Sequence, residues 1–245
     1  MIYRCSVFAP ARRSYGYNRR LQAARQLQHI RAIMPPVSEP YATALNPLDP
    51  NRPSGHWQPS QRVLRGCIPS GLAGWLLDTA SLTLRLQRLC PGKFRVRVLS
   101  QQWGTASIDE AQALRMKPGC LAVIRQVQLL CGGEPWVYAR TVIPATSLRG
   151  RLRRLVHLGT RPLGGMLFSD PGMRRASVEL VRLDAGQPLY KAATRDFDKC
   201  PAEIWGRRAV FRLAKRPLLV SEIFLPAFPA GTGPRPARLD VQIKL

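Results

Sequence analysis

Two apolar runs joined by a pair of glycines constrain this sequence more than any other feature. One face of residues 120–130 carries Leu121, Val123, Arg125, Val127 and Leu129. Gly132-Gly133 then provides a tight turn, and residues 136–143 form the returning run. This pattern predicts a β-hairpin, and residues 209–213 and 218–225 predict a second one across residues 214–217.

The remaining periodicity predicts helices and further strands around these hairpins. Apolar residues recur at helical spacing from a cap at Ser70 to Pro91-Gly92, and Ser147 can cap a short helix that runs to residue 156. Residues 94–98 and 175–183 resemble strands, whereas residues 109–119 read as a polar connection. Because strands follow strands through short turns, we expect an α+β domain, with helices on one side of an antiparallel sheet.

The first 60 residues differ in composition from the rest of the chain. Seven arginines precede the first acidic residue, Glu39, and a proline-rich stretch extends from Pro35 to Pro59. This composition predicts a disordered extension over residues 1–60, with a transit peptide or a start at Met34 as alternatives. The folded domain is expected over residues 61–229, followed by a loose tail over residues 230–245.

The charge balance is strongly basic, with a formal net charge of +24. Only six of the 38 basic residues are lysine, the charge is spread along the chain, and aromatic residues are not interleaved with it. These features argue against nucleic-acid binding and leave a positive field that attracts small anions. No apolar run approaches the roughly 18 residues that cross a bilayer, so we expect no membrane span.

The cysteines predict neither a metal site nor a disulfide framework. All six are widely separated, form no C-x-x-C motif and lie away from the three histidines. No metal is therefore expected. No secretory segment opens the chain, which predicts reduced thiols and a cytoplasmic location.

Two charged residues break the apolar alternation of the predicted strands. Arg125 and Glu222 each lie on a strand face that is otherwise apolar. A buried charge is costly unless something compensates it. The two residues could pair with each other, pair with others such as Asp184 or Arg140, or face a ligand cavity; the faces could also be exposed.

No familiar catalytic motif names a reaction. The chain has no G-x-S-x-G, glycine-rich phosphate loop or H-E-x-x-H sequence. Arg207-Arg208 is interpreted as a solvated strand start, and His157 at a helix end receives no chemical role. The residues alone therefore indicate a fold and two charged residues on apolar strand faces, but no activity.

Four short blocks resemble the bacterial chorismate lyases, and they occur in the order found in that family. The blocks are Gly133-Glu134-Pro135-Trp136 with Arg140-Thr141-Val142-Ile143-Pro144, Leu158-Gly159 with Arg161-Pro162-Leu163-Gly164 and Leu167-Phe168, Trp205-Gly206-Arg207-Arg208, and residues 216–226. Together they extend the resemblance over approximately residues 62–229.

The resemblance implies an antiparallel, about six-stranded sheet flanked by helices, with a ligand buried between the sheet and helical flaps. It implies that chorismate is converted to 4-hydroxybenzoate and pyruvate, the first committed step toward ubiquinone, without a cofactor. It assigns Arg125 and Glu222 as catalytic, binding the ligand carboxylate and the ring hydroxyl. It also assigns Leu163 through its backbone, and Leu82 where well-known members have a methionine of similar volume.

Further expectations concern Arg140, the oligomeric state and two rival functions. We expect Arg140 to face the departing pyruvyl carboxylate, and we expect a monomer. One rival function is the effector-binding domain of a transcription regulator of similar fold, although residues 1–60 are too rich in proline for a winged helix. The other rival is nucleic-acid binding, which would show a steep dependence on salt.

Overall fold

One antiparallel sheet organises the described part of the chain, residues 56–233 of a computed structural model. The predicted α+β class is confirmed, with six long strands and two of only two residues. The strands are β1 (Gln58–Pro59), β2 (Phe94–Thr105), β3 (Leu121–Cys131), β4 (Glu134–Pro144), β5 (Arg174–Arg175), β6 (Glu179–Asp184), β7 (Glu203–Leu213) and β8 (Arg216–Phe224). The α-helices are α1 (Ser70–Leu76), α2 (Leu82–Leu89), α3 (Ile108–Leu114), α4 (Leu163–Phe168) and α5 (Pro188–Thr194).

The two predicted hairpins form the middle of this sheet. The strand order is β1-β6-β7-β8-β4-β3-β2, and β5 pairs with β7. Gly132 and Gly133 both have positive φ, as a tight turn between β3 and β4 requires. The second turn is tighter than predicted: Ala214 and Lys215 alone connect β7 and β8, with φ of 48° and 64°. Positive φ at both central residues matches the twist of the flanking strands.

The helices differ from the prediction in number and placement. The single helix expected from Ser70 to Pro91-Gly92 is two helices, because the Ser81 hydroxyl accepts a bond from the Leu84 amide and begins α2 anew. Helix α3 lies in the stretch interpreted as a polar connection. Ser107 and Glu110 form its capping box, a signal that the sequence carried as S-x-x-E.

Helices cover both faces of the sheet, so the expectation of helices on one side was wrong. On one face, α1 and α2 pack against β3 and β6 through Trp75, Leu76 and Leu86. On the other face, α5 contributes Leu189 and α3 contributes Leu114. Short helices α4 and α5 were not predicted because six or seven residues carry too little periodicity to be recognised.

Cys90 and Cys131 form a disulfide, which contradicts the expectation of reduced thiols throughout. Their Cα atoms lie 5.9 Å apart, although 41 residues separate them in sequence. Cys90 follows α2, and Cys131 ends β3 opposite Phe94 in the ladder. Sheet register brings the two together, and no local motif announces that contact. Cys67, Cys120 and Cys200 are free and exposed.

The predicted domain of residues 61–229 lies within the described residues, whereas the predicted extension and tail fall largely outside them. Residues 1–55 and 234–245 are not described, so the extension and the tail stay predictions. Within the described part, a 3₁₀ turn at Ala230–Thr232 follows Phe228, whose ring meets that of Trp75 edge-on at 5.1 Å. These residues cover α1.

Gly206 of β7 lies close against β8, and enlarging it should destabilise the fold. A Cβ there would meet Ile223 Cδ1 at 2.3 Å and the Glu222 carbonyl at 3.0 Å. We expect Gly206→Ala to lower the free energy of unfolding by about 1–3 kcal/mol through overpacking, measured by urea denaturation. Gly165→Ala, with nothing within 4 Å of the added carbon, is the control and should not destabilise. Equal stabilities would contradict the predicted crowding.

Candidate active site

Helices α2 and α4 cover one face of the sheet, and a cavity lies between that face and the two helices. Strand residues form its floor, and residues at the starts of the helices form its roof. The lining includes Ser81, Leu82, Thr83, Val96, Arg125, Val127, Leu129, Ala139, Thr141, Pro162, Leu163, Gly164, Leu167, Phe168, Phe211, Val220 and Glu222. Apolar side chains dominate, with Arg125 and Glu222 as the two charged members. The structure thus brings all four predicted site residues, Arg125, Glu222, Leu82 and Leu163, to one cavity.

Arg125 carries a buried positive charge without a carboxylate partner among the described residues. It lies in β3 and is 2% exposed. Its Nη1 donates to Gln101 Oε1 at 2.9 Å, and its Nη2 donates to the Gly159 carbonyl at 2.8 Å. Burial lowers the pKa of Arg125 to about 10, so the guanidinium remains charged at neutral pH. A ligand anion in the cavity would compensate this charge.

Glu222 faces the cavity but is held from behind by Arg207. Its Oε2 accepts a hydrogen bond from Arg207 Nε at 2.7 Å. Arg207 is almost wholly buried, with 1% side-chain exposure, and its Nη1 donates to the carbonyls of Trp75 and Asp78. No described residue donates to Glu222 Oε1. One carboxylate oxygen is therefore fixed by the protein, and the other can accept from a ligand.

These contacts decide among the alternatives left open by the alternating pattern. Arg125 and Glu222 do not pair with each other, and neither pairs with Asp184 or Arg140 within residues 56–233. The interpretation of Arg207-Arg208 as solvated was wrong. Arg208 is also buried, and it bridges Asp109 and Glu179 at 2.7 and 2.6 Å.

Arg140 lies on the opposite face of the sheet, so the expectation that it faces the departing pyruvyl carboxylate was wrong. Its neighbour Thr141 lines the cavity, and successive residues of a strand point to opposite faces. Arg140 makes a bidentate pair with Glu110, with bonds of 2.7 and 3.1 Å. Burial alone would lower the pKa of Arg140, but the Glu110 carboxylate outweighs it and raises that pKa. This pair is a compensated structural element.

Helices α2 and α4 place the apolar roof of the cavity. Leu82 is the first residue of α2 and Leu163 the first of α4. The two helices approach closely, because a Cβ on Gly164 would lie 2.6 Å from Thr83 Oγ1. Glycine at this position therefore permits α4 to lie against α2.

Sequence reasoning missed two residues that hold the charged side chains of Arg125 and Glu222 in place. Gln101 faces Arg125 across the β2–β3 ladder, and its Nε2 donates to the Val156 carbonyl at 2.6 Å. A register shift between Val98 and Ser100 decides which β2 side chains face the cavity, and no pattern predicted it. Arg207 could have been found, since it lies two residues before Ala209 and therefore shares its face of β7.

Other kinds of site find no support in the described part of the chain. Within residues 56–233, no group of three or more His, Cys, Asp or Glu side chains could hold a metal ion. None of the helices described there has the length and apolar character needed to cross a membrane.

The fold and cavity together define an α+β domain with a largely apolar cavity that contains one arginine and one glutamate. The family described as chorismate lyase matches residues 53–230, most of the chain. This protein belongs to that family.

Individual relatives agree with this assignment. A probable chorismate pyruvate-lyase of Azoarcus sp. (strain BH72) is 44% identical over 160 residues, covering 64% of this chain and 84% of the relative. The protein of the same description in Methylococcus capsulatus (strain ATCC 33009 / NCIMB 11132 / Bath) is 40% identical, covering 64% and 95%. The ligand-binding domain of a putative GntR-family transcriptional regulator from Bordetella bronchiseptica is 20% identical, covers 56% of this chain and 87% of its own, and has a TM-score of 0.41. That structural similarity is too distant to assign a function.

Removing the carboxylate of Glu222 should destabilise the domain as well as the site. Glu222→Gln leaves the buried Arg207 charge with only carbonyl partners. We expect a loss of about 1–3 kcal/mol in the free energy of unfolding. Glu203→Gln is the matched control, since its 3.5 Å pair with Arg182 is exposed and should contribute less than about 1 kcal/mol. Equal losses in urea denaturation would contradict a buried, stabilising pair.

Proposed function

We propose that this protein converts chorismate to 4-hydroxybenzoate and pyruvate in the cytoplasm, as a monomer, on the route to ubiquinone. The observation that carries the proposal is the meeting of an uncompensated guanidinium and a half-free carboxylate in one largely apolar cavity. Chorismate carries a ring carboxylate and a 4-hydroxyl, groups that suit these two partners. Membership of the chorismate lyase family supports the same reaction.

Arg125 is the proposed anchor for the ring carboxylate. A guanidinium has five N–H donors, and the protein uses two of them here. The remaining donors suffice for two parallel bonds to a carboxylate, which the planar group favours. Gln101 and the Gly159 carbonyl hold the side chain, so its orientation is fixed before the substrate arrives.

Glu222 is the proposed acceptor for the 4-hydroxyl. Oε1 is the carboxylate oxygen that accepts no hydrogen bond from the described residues. The bond from Arg207 to Oε2 fixes the orientation of the carboxylate. The backbone of Leu163, at the start of α4, lies in the roof of the same cavity, and Leu82 contributes apolar surface to that roof. These contacts hold the ring between a cation at one end and an acceptor at the other.

The reaction needs little from the protein beyond this placement. The bond between the ring and the enolpyruvyl ether oxygen breaks, C4 loses its hydrogen, and the enolpyruvyl methylene gains one to become the methyl of pyruvate. Atoms balance if that hydrogen passes within the substrate, or if Glu222 carries it. In either case the enzyme contributes by holding one reactive conformation in a site that excludes water.

Mixing the purified full-length protein with chorismate tests this proposal. We expect 4-hydroxybenzoate to form, followed by absorbance, without an added cofactor. Arg125→Ala should lose about 2–4 kcal/mol of transition-state binding, or roughly 30- to 1,000-fold in kcat/KM.

The control for this measurement is Arg154→Ala, an exposed arginine that does not line the cavity. Its kcat/KM should remain within about twofold of that of the unchanged protein. Absence of product with the unchanged protein would refute the activity. Undiminished turnover in Arg125→Ala would refute the role of that residue.

A further inference from the structure

Arg175 is a second guanidinium near the cavity that lacks an acidic partner. It lies in β5 directly opposite Phe211 of β7, and residues paired across a ladder share a face of the sheet. Phe211 lines the cavity, so Arg175 projects on the cavity side. Its neighbour Arg174 points to the other side and is exposed.

The contacts of Arg175 leave part of its hydrogen-bonding capacity unused. Its Cζ lies 5.3 Å from the centroid of the Phe211 ring, and its Nη1 donates to the Thr79 carbonyl at 2.7 Å. Its Nε is buried and has no hydrogen-bond partner among the described residues. No ion pair joins Arg175 to an acidic side chain within residues 56–233.

Arg175 also lies close to the ion pair between Arg207 and Glu222. The Asp78 carbonyl accepts from Arg207 Nη1 at 2.7 Å and from Arg175 Nη1 at 3.5 Å. Burial and then the Arg207 charge lower the pKa of Arg175, while Glu222 and Asp78 oppose that shift. The guanidinium is therefore within electrostatic reach of Glu222.

Counting charge on the cavity side gives a surplus that matches a dianion. Arg125, Arg175 and Arg207 carry three positive charges there, and Glu222 carries one negative charge. Asp78 is neutralised by Arg85 at 2.6 Å. Chorismate has two carboxylates, whereas 4-hydroxybenzoate has one. The surplus of two positive charges therefore equals the charge of the substrate.

We propose that Arg175 binds the enolpyruvyl carboxylate of chorismate. This inference rests on the proposed function. It assigns the two arginines different tasks: Arg125 holds the carboxylate that stays on the ring, and Arg175 holds the one that leaves with pyruvate. Departure of pyruvate removes the Arg175 contact, so the product is held by fewer charges than the substrate.

Comparing substrate turnover with product inhibition tests the assignment. Arg175→Met keeps most of the contact with Phe211 but removes the charge. We expect its kcat/KM for chorismate to fall about 10- to 100-fold, mainly through KM, as for loss of a charged hydrogen bond. Its inhibition constant for 4-hydroxybenzoate should stay within about twofold. Arg125→Ala should weaken both substrate and product, and Arg174→Met should change neither.

The outcomes separate this inference from the proposed function. A parallel loss of substrate and product binding in Arg175→Met, or complete loss of product binding, would mean a structural role and overturn the assignment. Unchanged kcat/KM would overturn it as well. Arg175→Lys, which keeps the charge, should recover part of the affinity for chorismate. An unchanged protein that makes no 4-hydroxybenzoate would refute the activity itself.

Discussion

The ion pair between Arg207 and Glu222 is the contact on which the candidate site depends. Arg207 is buried between the sheet and α1, where its charge needs compensation on every side. The carboxylate of Glu222 supplies it from β8, and the carbonyls of Trp75 and Asp78 supply it from the end of α1 and the segment after it. The same contacts attach the helical layer to the sheet and orient Glu222. Stability and the proposed ligand recognition are thus coupled through one side chain.

The two faces of the sheet differ in how their buried arginines are compensated. Arg140 is buried as deeply as Arg125, but it meets Glu110 through two short hydrogen bonds. Among residues 56–233, Arg125 instead donates to neutral oxygens, those of Gln101 and Gly159. Neutral acceptors satisfy its N–H groups without cancelling its charge. A cavity that retains net positive charge attracts anions, and the strongly basic composition of the chain adds to that field.

The covering helices set the other condition for the proposed reaction. Leu82, Leu163 and Leu167 place apolar side chains over the charged floor of the cavity. In such surroundings, hydrogen bonds to the ligand are stronger than they would be in water. Close contact between Gly164 and Thr83 keeps the roof continuous between the two helices. The geometry therefore favours a small aromatic acid enclosed on both sides over an open, solvated binding surface.

Local sequence patterns determined much of this architecture. Alternation and turn residues fixed both central hairpins, and the same two-residue period identified Arg125 and Glu222 as charges on apolar faces. The resemblance of four sequence blocks to the chorismate lyase family then predicted ligand contacts at those positions. Only the tertiary structure decided which partners Arg125 and Arg140 have, because Gln101 and Glu110 come from other segments of the chain. The placement of Gln101 follows from strand register, including a bulge in β2 that reverses which side chains face the cavity. The same register brought Cys90 to Cys131, and no local pattern encodes such long-range contacts.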